Sequence, residues 1–183
     1  MTRYSLFVEK WKDCRDCYLC ETRNRIVFAR GTIPADVLFL GEAPGESENV
    51  TGVPFDGPAG NLLDAIIGRS VPKEVTYVLT NLVCCIPRED GGKAAEPEDE
   101  SVKACSVRLK EFVAIVEPKL IVCVGRLAKD FLDPGYKHSI KFHRKIPHTA
   151  ITHPAAILRA NYAQRGLAVQ RCVVIIKQAI EEL

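Results

Sequence analysis

The chain has 183 residues, 47% hydrophobic and 26% charged, with eight cysteines and a net charge of +2. This length predicts one domain burying roughly 70% of its unfolded surface without disulfide staples. No apolar run approaches the ~20 residues of a membrane span, and the N-terminal MTRYSLFVEKWKDC has mixed charge and no secretory apolar core, which excludes membrane-embedded classes and predicts a soluble cytoplasmic protein.

In chain order, DVLFLG (36–41) is a short apolar run ending in Gly, the mark of a buried strand. AGNLLDAIIG (59–68) has helical spacing and stops at Gly. TYVLTNLV (76–83) reads as a second strand, and the polar PREDGGKAAEPEDE (87–100) as a loop. ESVKACSVRLKEFVAIV (100–116) is an amphipathic helix whose acidic start suits the helix dipole. KLIVCVG (119–125) is a third strand, followed by the helix RLAKDFL. HTAIT (148–152) is a fourth strand and GLAVQRCVVIIKQAIEEL (166–183) the last helix.

Strand–helix alternation of this kind predicts a three-layer α/β/α domain around a four-stranded, parallel-type sheet. Ligands bind such folds beyond the carboxyl ends of the strands. GEAPGESE, the dipeptide Thr80-Asn81 and His153-Pro154-Ala155 all fall there, so the site lies in segments 41–60, 80–81 and 153–159. Charge divides along the chain: residues 1–117 carry 14 Lys and Arg against 19 Asp and Glu, and residues 118–183 carry 11 against 4. A basic C-terminal third suits a phosphate backbone, although a charge run reads equally as a solvated face.

Without an export signal, the cysteines do not read as disulfides. Cys123 and Cys172 sit in apolar runs and read as small core residues. Cys14-x2-Cys17, with Cys85 and Cys105 much later, is a four-thiolate set for a tetrahedral zinc or an iron–sulfur cluster. A single short pair favours the cluster over zinc; CRDC is otherwise a surface turn. Cys20 and Cys84 are spare, and spacing does not separate them from Cys17 and Cys85.

DCRDCYLCETRNRIVFARG, FLGEAPGESENVTGVPFDGPAGNLLD, VLTNLVCCIP and THPAAILR, in this order, resemble the signature of the family 4 uracil-DNA glycosylases, over about residues 13–159. The resemblance implies a single uracil-DNA glycosylase-like domain over 1–183. It selects Cys14, Cys17, Cys85 and Cys105 as ligands of a structural [4Fe–4S] cluster, and leaves Cys20 without a role. It also places Glu48 near uracil C5, to exclude thymine, and Ala43 where better-known relatives carry an Asp.

An enzyme of this kind must extrude the base into a pocket. Phe55, in a Pro- and Gly-flanked loop, is the candidate stacking surface, with a core aromatic as the plainer reading. The Asn81 amide pairs a donor and an acceptor with uracil O4 and N3–H, the alternative being a strand-end cap. His153 is placed to stabilise charge on uracil O2, as an oxyanion hole does. His138, His143 and His148 read as surface or phosphate contacts. Glu42 is the carboxylate to orient or deprotonate water and to offset the cationic sugar. Leu158 is a wedge for the vacated stack and Arg159 a phosphate contact, although Ile157 and Leu158 also suit ordinary packing.

Two features depart from the family pattern: Ile86-Pro87-Arg88 after the third cysteine, and the acidity of the following loop and of Asp56. The reading is a monomeric DNA repair glycosylase, cytoplasmic and nucleoid-associated, acting on uracil in single- or double-stranded DNA and leaving an abasic site. The alternatives are action on another deaminated base such as hypoxanthine, a non-catalytic binder of DNA or protein, and an electron-transfer protein, which lacks a flavin or nicotinamide fingerprint.

Overall fold

Four apolar runs set the frame. In this computed structural model, which describes residues 1–89 and 92–183, the elements are α1 (Arg3–Trp11), β1 (Arg30–Gly31), β2 (Val37–Gly41), α2 (Glu46–Thr51), α3 (Pro58–Ser70), β3 (Tyr77–Asn81), α4 (Asp99–Val116), β4 (Leu120–Val124), α5 (Arg126–Leu132), β5 (His148–Ile151), α6 (Pro154–Arg159) and α7 (Tyr162–Glu181). The four predicted strands are β2 to β5, and they pair in parallel.

The sheet order is β1-β3-β2-β4-β5. It has five strands where four were expected: Arg30 and Gly31 add an antiparallel edge to β3. Two residues carry no alternation for a sequence pattern to reveal. All five residues of β2 and of β4 are buried, as continuous apolar runs covered on both faces require.

Successive side chains take opposite faces of the sheet. Leu38, Leu40, Ile121 and Cys123 pack with Phe7, Trp11 and Phe112 of α1 and α4. Val37, Phe39 and Val122 pack with Leu63 and Ile66 of α3 and with Cys172 and Ile176 of α7. This is the expected three-layer arrangement, and each fully buried large side chain contributes roughly 1.5–3 kcal/mol.

Several helix starts were not expected. α1 is capped by the Thr2 hydroxyl, which accepts from Ser5 N–H at 3.0 Å, and it buries Phe7 and Trp11. α7 begins four residues earlier than expected because the Asn161 side chain accepts from Gln164 N–H at 3.0 Å. The 87–100 loop reading holds as far as Glu98, except at Asp90 and Gly91, which lie outside the described residues.

From β2 the chain crosses by α3 to β3 on one side, then by α4 to β4 on the other. The connections therefore diverge at β2 and open a crevice at its carboxyl end.

Candidate active site

That crevice is an open cleft lined by Glu42, Ala43, Gly45, Glu96, Arg126, His153 and Arg159, among others. Glu42 follows β2, Arg126 follows β4 and His153 follows β5, so parallel pairing delivers three sequence-distant groups to one edge. The strands stay paired past their ends: Leu82 N–H donates to Gly41 O at 2.9 Å and Val83 N–H to Glu42 O at 3.2 Å. This fixes Glu42 against the segment that follows Asn81.

His153 is the N-cap of α6, and its Nδ1 accepts from Ala155 N–H at 3.1 Å. An accepting Nδ1 bears no proton, so the neutral ring carries its proton on Nε2 and is a donor there. Burial, and then the Arg159 guanidinium, push its pKa below the usual histidine value and keep it neutral. Gly125 makes room: at φ +102°, a Cβ there would stand 3.2 Å from His153 Cβ and Cδ2.

Burial pushes the Glu42 carboxyl up to about 6; Glu96 pushes the same way and Arg126 opposes both. Glu96 belongs to the loop whose acidity departs from the family pattern. The structure puts part of that acidity in the cleft wall, with Glu89 beside it. Arg88 anchors the loop by two bonds to the Glu46 carboxylate, at 2.7 and 2.9 Å.

Asn81 is buried at the end of β3, and Phe55 is 7% exposed. They meet over Gly41, where a Cβ would overlap both the Asn81 amide oxygen and the Phe55 ring. Phe55 holds a left-handed backbone at φ 57°, which is uncommon for a bulky residue. Arg30 clamps it, donating from Nε to Pro54 O at 2.7 Å and from Nη2 to Asp64 at 2.7 Å.

Asn81 and Phe55 sit outside that cleft's lining, and so do Glu48 and Leu158. Glu48 accepts from Gly45 N–H at 3.0 Å and so closes the first turn of α2. Ile157 is buried against the α7 layer, whereas Leu158 is half-buried and its carbonyl accepts from Arg165 at 2.6 Å. Gly41, Arg30 and Glu96 have no sequence signal beyond their motif neighbourhoods.

A separate cavity lies between α1, α4 and the segment after β3. Cys14, Cys17, Cys85 and Cys105 all line it, as do Cys84, Trp11, Arg23 and Arg108; Cys20 does not line it. Burial pushes the Cys85 thiol up to about 12. Cys105 is pulled down, first by a hydrogen bond with Cys84 and then by Arg108. Arg23 donates to Cys85 Sγ at 3.6 Å and to Cys14 O at 2.7 Å. Among the described residues no three Cys, His, Asp or Glu gather tightly enough to grip a single metal ion. The thiols instead stand around the walls of a space, with two guanidinium groups beside them and the buried Nε of Arg108 lacking a partner among the described residues. This donor set suits a multi-iron cluster of net negative charge rather than one cation.

Also among the described residues, no helix is long and apolar enough to cross a membrane.

Comparison with known proteins agrees with this architecture. The uracil DNA glycosylase superfamily profile matches residues 28–175. The type-4 uracil-DNA glycosylase of Archaeoglobus fulgidus is 30% identical over 82% of this chain and 81% of its own. That of Thermotoga maritima is 34% identical over 72% and 67%. That of Saccharolobus solfataricus is 33% identical over 72% of this chain, which spans only 60% of that relative's length. The crystal structure of Pedobacter heparinus SMUG2 superposes with a TM-score of 0.58 at 14% identity, covering 80% of this chain and 76% of that one, a likeness of fold alone. With its profile match over most of the sequence and type-4 relatives at these identities, the chain belongs to the uracil DNA glycosylase superfamily, in its type-4 branch.

Proposed function

We propose that the protein is a monofunctional glycosylase that hydrolyses the N-glycosidic bond of a uracil flipped out of DNA and leaves an abasic site. The observation that carries this reading is the pairing, across one cleft, of a neutral His153 with a free Nε2–H and the half-buried Glu42 carboxyl. Bond cleavage puts negative charge on uracil O2 and positive charge on the sugar. A fixed donor meets the first, and a carboxylate both meets the second and orients water.

Phe55 stacks on the base, and the Asn81 amide reads O4 and N3–H. Ala43, beside Glu42, leaves Glu42 as the only cleft carboxylate in its motif. Glu48 acts indirectly by setting the α2 turn that borders the pocket. Arg159 contacts phosphate, and Leu158 enters the vacated stack. The partner is DNA, single- or double-stranded, bound by a monomer in the cytoplasm at the nucleoid.

Cys14, Cys17, Cys85 and Cys105 would hold a [4Fe–4S] cluster. The group supplies a structural cross-link, joining the segment after α1, the segment after β3, and α4.

The test is incubation of anaerobically purified protein with labelled oligonucleotides carrying uracil, hypoxanthine, thymine or no lesion, followed by alkali. Strand breaks at uracil alone are expected. Breaks at hypoxanthine alone would move the activity to another deaminated base, and none at any base would leave a non-catalytic binder.

A further inference from the structure

Arg108 sits on α4, one turn beyond Cys105, and is 2% exposed. Its guanidinium faces two ways. Toward the sheet, Nη2 donates to Asn81 O at 2.8 Å and Leu82 O at 2.9 Å, and Nη1 to Thr80 Oγ1 at 3.4 Å. On its other side it borders the cavity of Cys14, Cys17, Cys85 and Cys105. Among the described residues no carboxylate bonds to it, and its buried Nε has no partner.

A cation in a protein core is strongly unfavourable unless charge and hydrogen bonds compensate it. The carbonyls satisfy part of its donor set without neutralising it. Four thiolates around iron carry net negative charge and would complete the compensation from the cavity side.

We infer that Arg108 is a positioning residue that couples the cysteine site to base recognition. Charge at the cavity holds the guanidinium in place, and the guanidinium fixes the carboxyl end of β3, from which Asn81 projects. The inference rests on the glycosylase and cluster reading, and adds that uracil affinity depends on the state of a cavity the base never touches.

The experiment uses anaerobically prepared full-length protein, with Arg108→Lys and Arg108→Met. Three quantities are measured: iron per chain, the midpoint potential of the iron centre, and KM and kcat on a uracil oligonucleotide. Arg108→Lys keeps the charge, so iron content and potential should match wild type. A lysine cannot span two carbonyls and a hydroxyl, so KM should rise ~10-fold, the scale of one charge-assisted hydrogen bond, with kcat within about twofold. Arg108→Met should show the same rise in KM and a more negative potential, because a nearby cation favours the reduced, more negative centre.

Arg108→Lys with full iron and wild-type KM overturns the coupling, as does Arg108→Lys that loses its iron. Arg108→Met with wild-type potential overturns the charge pairing; should that variant not fold, the KM of Arg108→Lys decides. Wild-type protein lacking iron or uracil excision defeats the proposed function instead, before any variant is compared.

Discussion

At the scale of single residues, the proposed function has His153 and Glu42 divide the work by protonation state. The His153 donor meets charge that exists only as the bond breaks, so its loss should lower kcat and kcat/KM together. His153→Ala should slow single-turnover excision ~100-fold or more, the scale of one lost oxyanion-type donor, with affinity for a non-cleavable uracil analogue nearly unchanged. Equal losses in binding and rate would make the histidine a ground-state contact. Glu42 sets the pH profile. On the proposed mechanism it acts ionised, and its carboxyl is raised to about 6, so excision should climb as pH rises through about 6 and level off above. Single-turnover rates from about pH 4.5 to 8.5 check this, and Glu42→Gln should be slow and flat. The same shift has a sign for stability. A carboxyl raised from 4.5 to about 6 binds more protons folded than unfolded, so stability falls as pH rises through that window. At pH 7 Glu42→Gln should therefore melt at a higher temperature than wild type while excising poorly.

Among the elements, the short ones hold the site and the long ones hold the fold. β1 is two residues long, yet its Arg30 holds the left-handed Phe55 loop. Arg30→Ala should raise KM for uracil oligonucleotides several-fold while shifting Tm by only a few degrees, because a partly exposed pair contributes little stability. Asn161→Ala, which removes the α7 cap, should do the reverse: a loss of ~1 kcal/mol in denaturant unfolding and unaltered excision. Strands β2 to β5, α3, α4, α5 and most of α7 were legible because apolar runs and helical spacing report burial directly. α1 carried a usable signal, with Tyr4, Phe7, Val8 and Trp11 at helical intervals behind a Thr cap. α2 and α6 did not, since six residues make fewer than two turns and so show no repeated spacing. Glu42 and His153 were legible from motifs at strand ends, and the structure brings both to the cleft; Phe55 and Asn81, from a loop and a strand end, meet over Gly41. Arg30, Glu96 and Arg108 were not legible, because each acts on a group at least 24 positions away, and only the folded chain brings them together.

Over the whole molecule, the basic C-terminal third is not one surface. Arg126 and Arg159 border the cleft. Lys141, Arg144, Lys145 and His148 gather near the start of β5, with Arg144 bonded to Pro118 O just before β4. Parallel strands put their beginnings at the edge opposite their carboxyl ends, so this group faces away from the cleft. Binding to uracil DNA should weaken with salt, but mainly through the cations at the cleft. Arg159→Ala should reduce the slope of log K against log[salt] by ~0.9, one phosphate contact. Lys145→Ala should leave it unchanged. Equal effects of the two substitutions would place the far edge on DNA as well.

The cap on α6 has a practical consequence. Because one nitrogen of His153 holds a helix and the other, on the proposed function, meets uracil, shape and reactivity can be separated at a single codon. Serine is among the best residues at an N-cap, so His153→Ser should keep α6 in place while deleting the donor. The result would be a protein that seeks out uracil, seats it between Phe55 and Asn81, and does not release it by cutting. Bound to genomic DNA and recovered with its footprint, such a variant would serve as a reagent for mapping where cytosines have deaminated.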